Sequence, residues 1–155
     1  MELALRWLAV RGRSRAQIED RLRRSGASED IAEGVAGRLA ELGILNDRAF
    51  ALAGAQTGLR RGLARSYLQG ELEGKGVAGD DVAWALEETG NTDSDSARAL
   101  RQAEGWARAH PSETGVRGLR RLGNLLMRKG YDEELAVDIC RRVLGDPPEA
   151  EGGND

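Results

Sequence analysis

Three stretches of the chain share one pattern of apolar positions: two large aliphatic residues four positions apart, then a glycine four positions further on. The copies are Ile18, Leu22 and Gly26; Leu68, Leu72 and Gly76; and Leu122, Leu126 and Gly130. Residues four apart share one face of a helix, and glycine favours the position just past a helix end. The pattern predicts three equivalent helices about fifty residues apart, a period typical of repeat proteins that present a binding surface.

Each of these helices is flanked by two others. The first predicted helix covers residues 2–11, and a Ser14–Gln17 capping box opens the second. Ser28 is placed to cap the third helix and Asp47 to cap the fourth, because short polar side chains accept hydrogen bonds from free backbone N–H groups. Few residues are β-branched and aromatic residues are 4 % of the chain, so strands are disfavoured. We expect an all-α fold of nine helices.

The third helix of each group has an apolar stripe at a fixed distance from the closing glycine. Val82 and Leu86 follow Gly76 at offsets of six and ten residues. In the outer groups the offsets are five, nine and thirteen, for Ile31, Val35 and Leu39 after Gly26 and for Leu135, Ile139 and Val143 after Gly130. We interpret the mismatch as a one-residue difference in the middle turn, and we expect all three stripes to pack inward.

The nine predicted helices fall into three groups of three. Repeat 1 covers residues 1–46, repeat 2 covers residues 47–91, and repeat 3 covers residues 92–145. Residues 146–155 contain four acids and two prolines, and they are predicted to form an acidic, disordered tail.

The net charge of −3 is unevenly distributed, with +3 on residues 1–76 and −6 on residues 77–155. An acidic second half disfavours a duplex DNA partner and favours a protein partner of mixed charge. No apolar run reaches the roughly 18 residues that would predict a membrane span, and no signal peptide precedes the first helix. The single cysteine cannot form an internal disulfide, so we expect a cytoplasmic protein.

No pattern of catalytic or cofactor-binding residues is found. His110 precedes a proline at a predicted helix end, where we expect it to cap backbone carbonyls, and Cys140 lies among apolar residues as a buried thiol would. The sequence has no Cys/His cluster for zinc, no phosphate-binding glycine-rich loop and no calcium loop. We therefore expect no metal, no cofactor and no enzymatic activity.

Arginines are concentrated around the start of the second helix of each group. Cations there oppose the helix dipole, whereas acids open every third helix, as the dipole favours. An unfavourable pattern that recurs suggests a use, and a helix start with arginines suits a phosphate or carboxylate. The predicted partner-binding residues are Arg11, Arg13, Arg15, Arg60, Arg61, Arg65, Arg117, Arg120, Arg121, Arg128 and Lys129. Arg117, Arg121 and Arg128 should form one outward stripe of the eighth helix; a merely solvated basic face is the alternative.

Four blocks of sequence resemble the RecX family, bacterial regulators of the recombinase RecA. They are ALRWLAVR with RSR at residues 4–15, LGILND with FA at 42–51, LEGKGV at 72–77 and LMRKGY at 126–131, in the family's order and spacing. The resemblance implies an elongated, curved array of three tandem three-helix repeats. It also implies binding to RecA, in the groove of the RecA–DNA filament or as the free protomer. The implied outcome is altered, usually inhibited, recombinase, coprotease and ATPase activity in DNA repair, homologous recombination and the SOS response.

Two other classes of protein remain open at this point. Three-helix units of this size can be helix-turn-helix readers of DNA, which would expose Asn, Gln and Arg on one helix per unit. The third helices here expose mainly Glu, Asp and Ala, which disfavours that class. A helical scaffold with no connection to RecA is the other alternative. We expect a monomer that makes at most weak DNA contact.

Overall fold

The structure, a computed structural model, describes residues 1–147; residues 148–155, most of the predicted acidic tail, lie outside the described residues. Within the described part the chain forms nine α-helices and no strand, so the predicted all-α helical array is confirmed. The helices are α1 (Glu2–Val10), α2 (Arg15–Arg24), α3 (Glu29–Glu41), α4 (Asp47–Arg60), α5 (Arg65–Gly74), α6 (Gly79–Glu88), α7 (Asp95–Ala109), α8 (Gly115–Arg128) and α9 (Glu133–Leu144). No helix between residues 1 and 147 combines the length and apolar character needed to cross a bilayer.

Two of the three predicted helix caps are confirmed. Ser14 and Gln17 form the capping box that opens α2, and the Ser28 side chain accepts from the backbone N–H of Ile31 at the start of α3. The prediction that Asp47 caps α4 is wrong. Asn46 does so, accepting from the backbone N–H of Ala49 at 3.0 Å, and Asp47 is the first residue inside the helix. The Asp47 carboxylate is thereby released for another partner.

The equivalent second helices bury the predicted residues. Ile18 and Leu22, Leu68 and Leu72, and Leu122 and Leu126 are all buried. Each helix is followed by its predicted glycine at positive φ: 99° at Gly26, 84° at Gly76 and 90° at Gly130.

The predicted inward stripe of α3 is correct at Leu39 and wrong at Ile31. Ile31 is 57 % exposed, while Ala32, Ala36 and Leu39 are fully buried. Ala32, Val82 and Ala136 all lie six residues past their closing glycine, and Ala36, Leu86 and Cys140 all lie ten past it. The three third helices therefore share one register, and the middle turn has no one-residue difference.

Contacts divide the chain into two compact units. Unit 1 is Met1–Gly58 with Leu68–Thr92, and unit 2 is Leu59–Tyr67 with the described residues from Asp93 onward. One core cluster, in unit 1, consists of Ala4, Ile18, Leu22, Ala32, Ala36, Leu39 and Leu45. Another, in unit 2, consists of Ala64, Ala99, Ala103, Leu122, Leu126, Tyr131, Ala136, Ile139 and Cys140. The predicted three-way division at residues 1–46, 47–91 and 92–145 stays a prediction.

In unit 2, buried polar side chains hold the segment that joins α4 to α5. The hydroxyl of Tyr131 donates to the carbonyl of Gly62 at 2.7 Å. Arg98, which is 5 % exposed, donates through Nη2 to the carbonyls of Leu59 at 2.8 Å and Leu63 at 3.3 Å. The Leu59 carbonyl also accepts from the backbone N–H of Gly62 at 3.0 Å, and the side-chain bonds add partners for the carbonyls that follow the end of α4.

Candidate partner-binding surface

The backbone donors at the starts of α2 and α5 are occupied by carboxylates of this chain. In unit 1 the N–H of Arg15 donates to Oδ1 of Asp47 at 2.8 Å. In unit 2 the N–H of Arg65 donates to Oδ1 of Asp95 at 2.6 Å, and the N–H of Ser66 to Oδ2 at 3.2 Å. The anion expected at an arginine-rich helix start is thus intramolecular at both places. Side chains, rather than these amides, are what a partner would meet.

The start of α8 has an anion from its own preceding loop. Glu113 forms an ion pair with Arg121 and lies 3.5 Å from Nε of Arg117. The Glu113 side chain is only 14 % exposed, whereas those of Arg117 and Arg121 are 81 % and 51 % exposed. Both arginines therefore face outward as predicted, but they share one internal counter-ion.

Lys129 is fixed by the fold of unit 2. Its Nζ donates to the carbonyl of Arg61 at 2.7 Å, and its own carbonyl accepts from the N–H of Ala64 at 2.9 Å. Burial, and then the charge of Arg61, lower the pKa of Lys129. In unit 1 the carbonyl of Lys75 accepts from the hydroxyl of Ser14 in the same way. The Lys-Gly segments that follow α8 and α5 thus pack against the start of another helix.

The arginines near the start of α2 form a cationic cluster in unit 1. Nε of Arg13 is buried with no hydrogen-bond partner. Burial, followed by repulsion from Arg11 and Arg21, lowers the pKa of Arg13. Arg15 differs, because a 2.8 Å side-chain hydrogen bond to Glu19 raises its pKa. Sequence reasoning missed Arg21, whose guanidinium lies 4.6 Å from the ring centroid of Trp7.

The outward side of α8 combines arginines with apolar and amide side chains. Arg120 and Arg128 are exposed, and neither forms an ion pair with an acid in residues 1–147. Met127 is 49 % exposed, and Asn124 lies with it between Arg121 and Arg128 along a shallow depression. We call this set (Arg117, Arg120, Arg121, Asn124, Met127 and Arg128) the α8 face. Arg60 and Arg61, also exposed, lie apart from it in sequence at the end of α4.

Part of the α8 face could be read from the sequence and part could not. The arginine stripe follows from helical spacing, and Asn124 lies on the same stripe at about 100° per residue. Glu113 is four residues before Arg117, a spacing that signals a pair, yet it precedes the helix and was overlooked. Nowhere in the described chain do three His, Cys, Asp or Glu side chains come together as a metal site would require.

Comparisons with known proteins identify the relatives of this chain. Residues 1–39 match the family model described as "RecX, first three-helix domain". The chain is 38 % identical over 149 residues to the Regulatory protein RecX of Streptomyces lividans, covering 92 % of this chain and 76 % of that protein. It is 35 % identical over 153 residues to that of Thermobifida fusca, covering 97 % and 79 %. Its fold is similar to the crystal structure of RecX from Lactobacillus salivarius, with a TM-score of 0.67, 20 % identity and 92 % coverage of both chains.

Proposed function

The chain belongs to the RecX family of regulatory proteins, and from that membership we propose that it binds RecA and modulates the activities of the RecA filament. The expected effect is inhibition of the recombinase, coprotease and ATPase activities, and hence of homologous recombination and the SOS response. Binding in the filament groove and binding to the free protomer both agree with this proposal. The protein acts without a cofactor, in the cytoplasm, as a binding partner and not as an enzyme.

Family membership over nearly the whole chain is the observation that carries the proposal. The similarity to Regulatory protein RecX extends over 92 % of the chain in one relative and 97 % in another, so it includes both compact units. The α8 face supports a regulator that acts by binding, because its arginines are exposed and Arg120 and Arg128 have no counter-ion among residues 1–147. Forked guanidinium groups suit the carboxylates of a protein partner.

A protein surface suits the α8 face better than DNA does. Met127 adds an exposed apolar side chain between the arginines, which a protein partner's aliphatic side chains match better than a phosphodiester backbone does. The net charge of −3, with −6 on residues 77–155, would repel a duplex along the chain that carries α8. We propose RecA carboxylates as the main contact and filament DNA as a weak secondary one.

The proposal is tested with purified RecA. We expect the protein to co-sediment with RecA filaments on single-stranded DNA and to slow DNA-dependent ATP hydrolysis by preformed filaments. No binding to RecA, with or without DNA and nucleotide, would reject the proposal. Binding to DNA alone with a steep log–log salt dependence and a sharp sequence preference would favour the helix-turn-helix class instead.

Paired substitutions test the α8 face itself. The double variant Arg120→Gln/Arg128→Gln should bind RecA filaments about tenfold more weakly, because two exposed contact arginines at an interface are worth more than 1 kcal/mol. The control Arg108→Gln/Arg142→Gln removes the same charge from exposed positions on α7 and α9. Equal losses in the two variants would mean that only net charge matters. No loss in either would leave the α8 face as solvated surface.

A further inference from the structure

Unit 1 contains an apolar groove that no other part of residues 1–147 fills. The groove runs between α1, α4 and the turn that joins α3 to α4. It is lined by Leu5, Leu8, Ala9, Gly12, Arg13, Gly43, Ile44, Asn46, Ala49, Phe50 and Ala53. Leu5 is 39 % exposed and Ile44 46 % exposed, so large aliphatic side chains on both sides of the groove remain in contact with water. Contiguous exposed apolar surface with a polar rim is typical of interaction sites.

Arg13 supplies a charge at the edge of this apolar surface. It lines the groove, and its Nε is buried with no hydrogen bond, while neither Arg13 nor Arg11 pairs with an acid among the described residues. Arg13 as a whole is only half-buried, so a partner's carboxylate can pair with its guanidinium charge, which no acid of residues 1–147 balances. Since Arg11 and Arg21 both repel Arg13, a carboxylate is the ligand that would relieve the local charge.

We propose that this groove docks a protein segment that places aliphatic side chains beside Leu5 and Ile44 and a carboxylate on Arg13. This inference rests on the proposed function, and it assigns the segment to RecA. The chemistry selects a protein over nucleic acid, because a sugar-phosphate strand offers an anion but no large aliphatic side chain to fill the groove. The walls also lack stacking surface for bases, since Phe50 is the one aromatic side chain among the lining residues and is itself half-buried.

Matched variants measure the contribution of the groove to RecA binding. Ile44→Glu places a like charge beside the expected carboxylate, and Arg13→Gln removes the cation; each should weaken binding to RecA filaments by about tenfold. The controls are Ile31→Glu, at an aliphatic side chain 57 % exposed on α3, and Arg38→Gln, at an exposed arginine of the same helix; neither lines the groove. Both should bind as the wild type does. Circular dichroism and thermal unfolding of each variant show that the fold is retained.

A cross-link identifies the occupant directly. Ile44→Cys gives one accessible thiol, because Cys140 is buried and burial raises the pKa of its thiol. Labelled with a short photoreactive maleimide, it should cross-link to one RecA segment that contains Asp or Glu next to aliphatic residues, whereas Ile31→Cys should not. Changing that acid to its amide in RecA should weaken binding of the wild type but add little to Arg13→Gln, as expected for a coupled pair.

The outcomes separate this inference from the proposed function. If the wild type binds RecA and the groove variants bind equally well, the proposed docking in the groove is refuted while the proposed binding to RecA stands. A cross-link to DNA, to a second copy of this chain or to a RecA segment without acids also refutes it. If the wild type does not bind RecA at all, both proposals fall.

Discussion

At the scale of single residues, the deciding feature is where each carboxylate points. Asp47 and Asp95 are the first residues of α4 and α7, and both reach back to the start of an earlier helix. Capping rules read locally assign Asp47 to its own helix, because the rules cannot detect a donor 32 residues away. The same two side chains explain why arginines near these helix starts are tolerated: the dipole already has a negative partner.

Replacing Asp95 with Ala tests this arrangement. Oδ1 accepts from the N–H of Arg65, and Oδ2 accepts from both the N–H and the hydroxyl of Ser66, so three donors lose their acceptor. We expect a loss of about 1–2 kcal/mol in the free energy of unfolding, as for a helix cap, measured by urea denaturation. Asp138→Ala, at an exposed carboxylate on α9, is the control and should change stability by less than about 0.5 kcal/mol. Equal stability of the two variants would contradict the capping role.

Ionisation of the buried Tyr131 is expected to lower the stability of the fold at high pH. Burial is the largest cause that raises its pKa above the usual value near 10. The folded state then keeps its proton more tightly than the unfolded state, so this stability is present below about pH 10 and lost as pH rises through the folded pKa. Tyr131→Phe should be about 1 kcal/mol less stable than the wild type near pH 7, because the carbonyl of Gly62 loses its donor.

The same comparison at high pH provides the check. Near pH 11 the stability gap between wild type and Tyr131→Phe should narrow, since only the wild type has this phenol to ionise. Comparing the two proteins cancels the contributions of Lys129 and Cys140, which both retain. Urea denaturation at the two pH values gives the result, and a gap that widens with pH would refute the assignment.

At the scale of helices, the sequence predicted the buried positions correctly where large aliphatic residues occupy them. The second helices bury Ile18, Leu68 and Leu122 with their partners four residues on, as expected. Among the third helices, α6 buries Val82 and Leu86 as predicted, whereas α3 packs through Ala32 and Ala36 and leaves Ile31 exposed. Small side chains such as Ala let two helix backbones approach closely. A prediction from hydrophobicity alone nevertheless places Ile rather than Ala in the core. The shared register of the three helices lies in their buried positions, which residue type alone does not mark.

Glycines at the ends of α2 and α5 provide a matched test of helix docking in unit 1. Gly26 and Gly76 both have positive φ, but a Cβ at Gly26 would meet open space, while one at Gly76 would collide with Cβ of Ala16. Gly26→Ala should therefore cost about 1–2 kcal/mol, the strain of left-handed backbone alone. Gly76→Ala should cost about 1–3 kcal/mol more, as overpacking does. Thermal and urea unfolding measure both, and equal losses would show that Gly76 is not closely packed.

At the scale of the whole molecule, the nine helices of residues 1–147 form two compact units. An equivalent contact occurs in each unit. In unit 1 the carbonyl of Lys75, just after α5, accepts from the hydroxyl of Ser14 at the start of α2, next to the Arg15–Asp47 bond. In unit 2 the carbonyl of Lys129, just after α8, accepts from the N–H of Ala64 before α5, next to the Arg65–Asp95 bond. The start of α8 has no such contact, and its loop supplies Glu113 instead. The sequence shows this only as a longer spacing to the third copy, 54 residues in place of 50, which does not disclose that the added residues place an acid there.

Glu113 therefore sets how much positive charge the α8 face offers. Glu113→Gln should change stability by only about 0–1 kcal/mol, because both guanidinium partners of Glu113 are largely solvated, and should free Arg117 and Arg121 for RecA. Binding to RecA filaments should then strengthen by up to about fivefold at low salt, the opposite direction to Arg120→Gln/Arg128→Gln. Glu41→Gln, which breaks the 3.0 Å pair with Arg38 in unit 1, removes the same charge as a control. Because only a local counter-ion effect distinguishes these two variants, equal affinities would mean that Glu113 does not screen the α8 face.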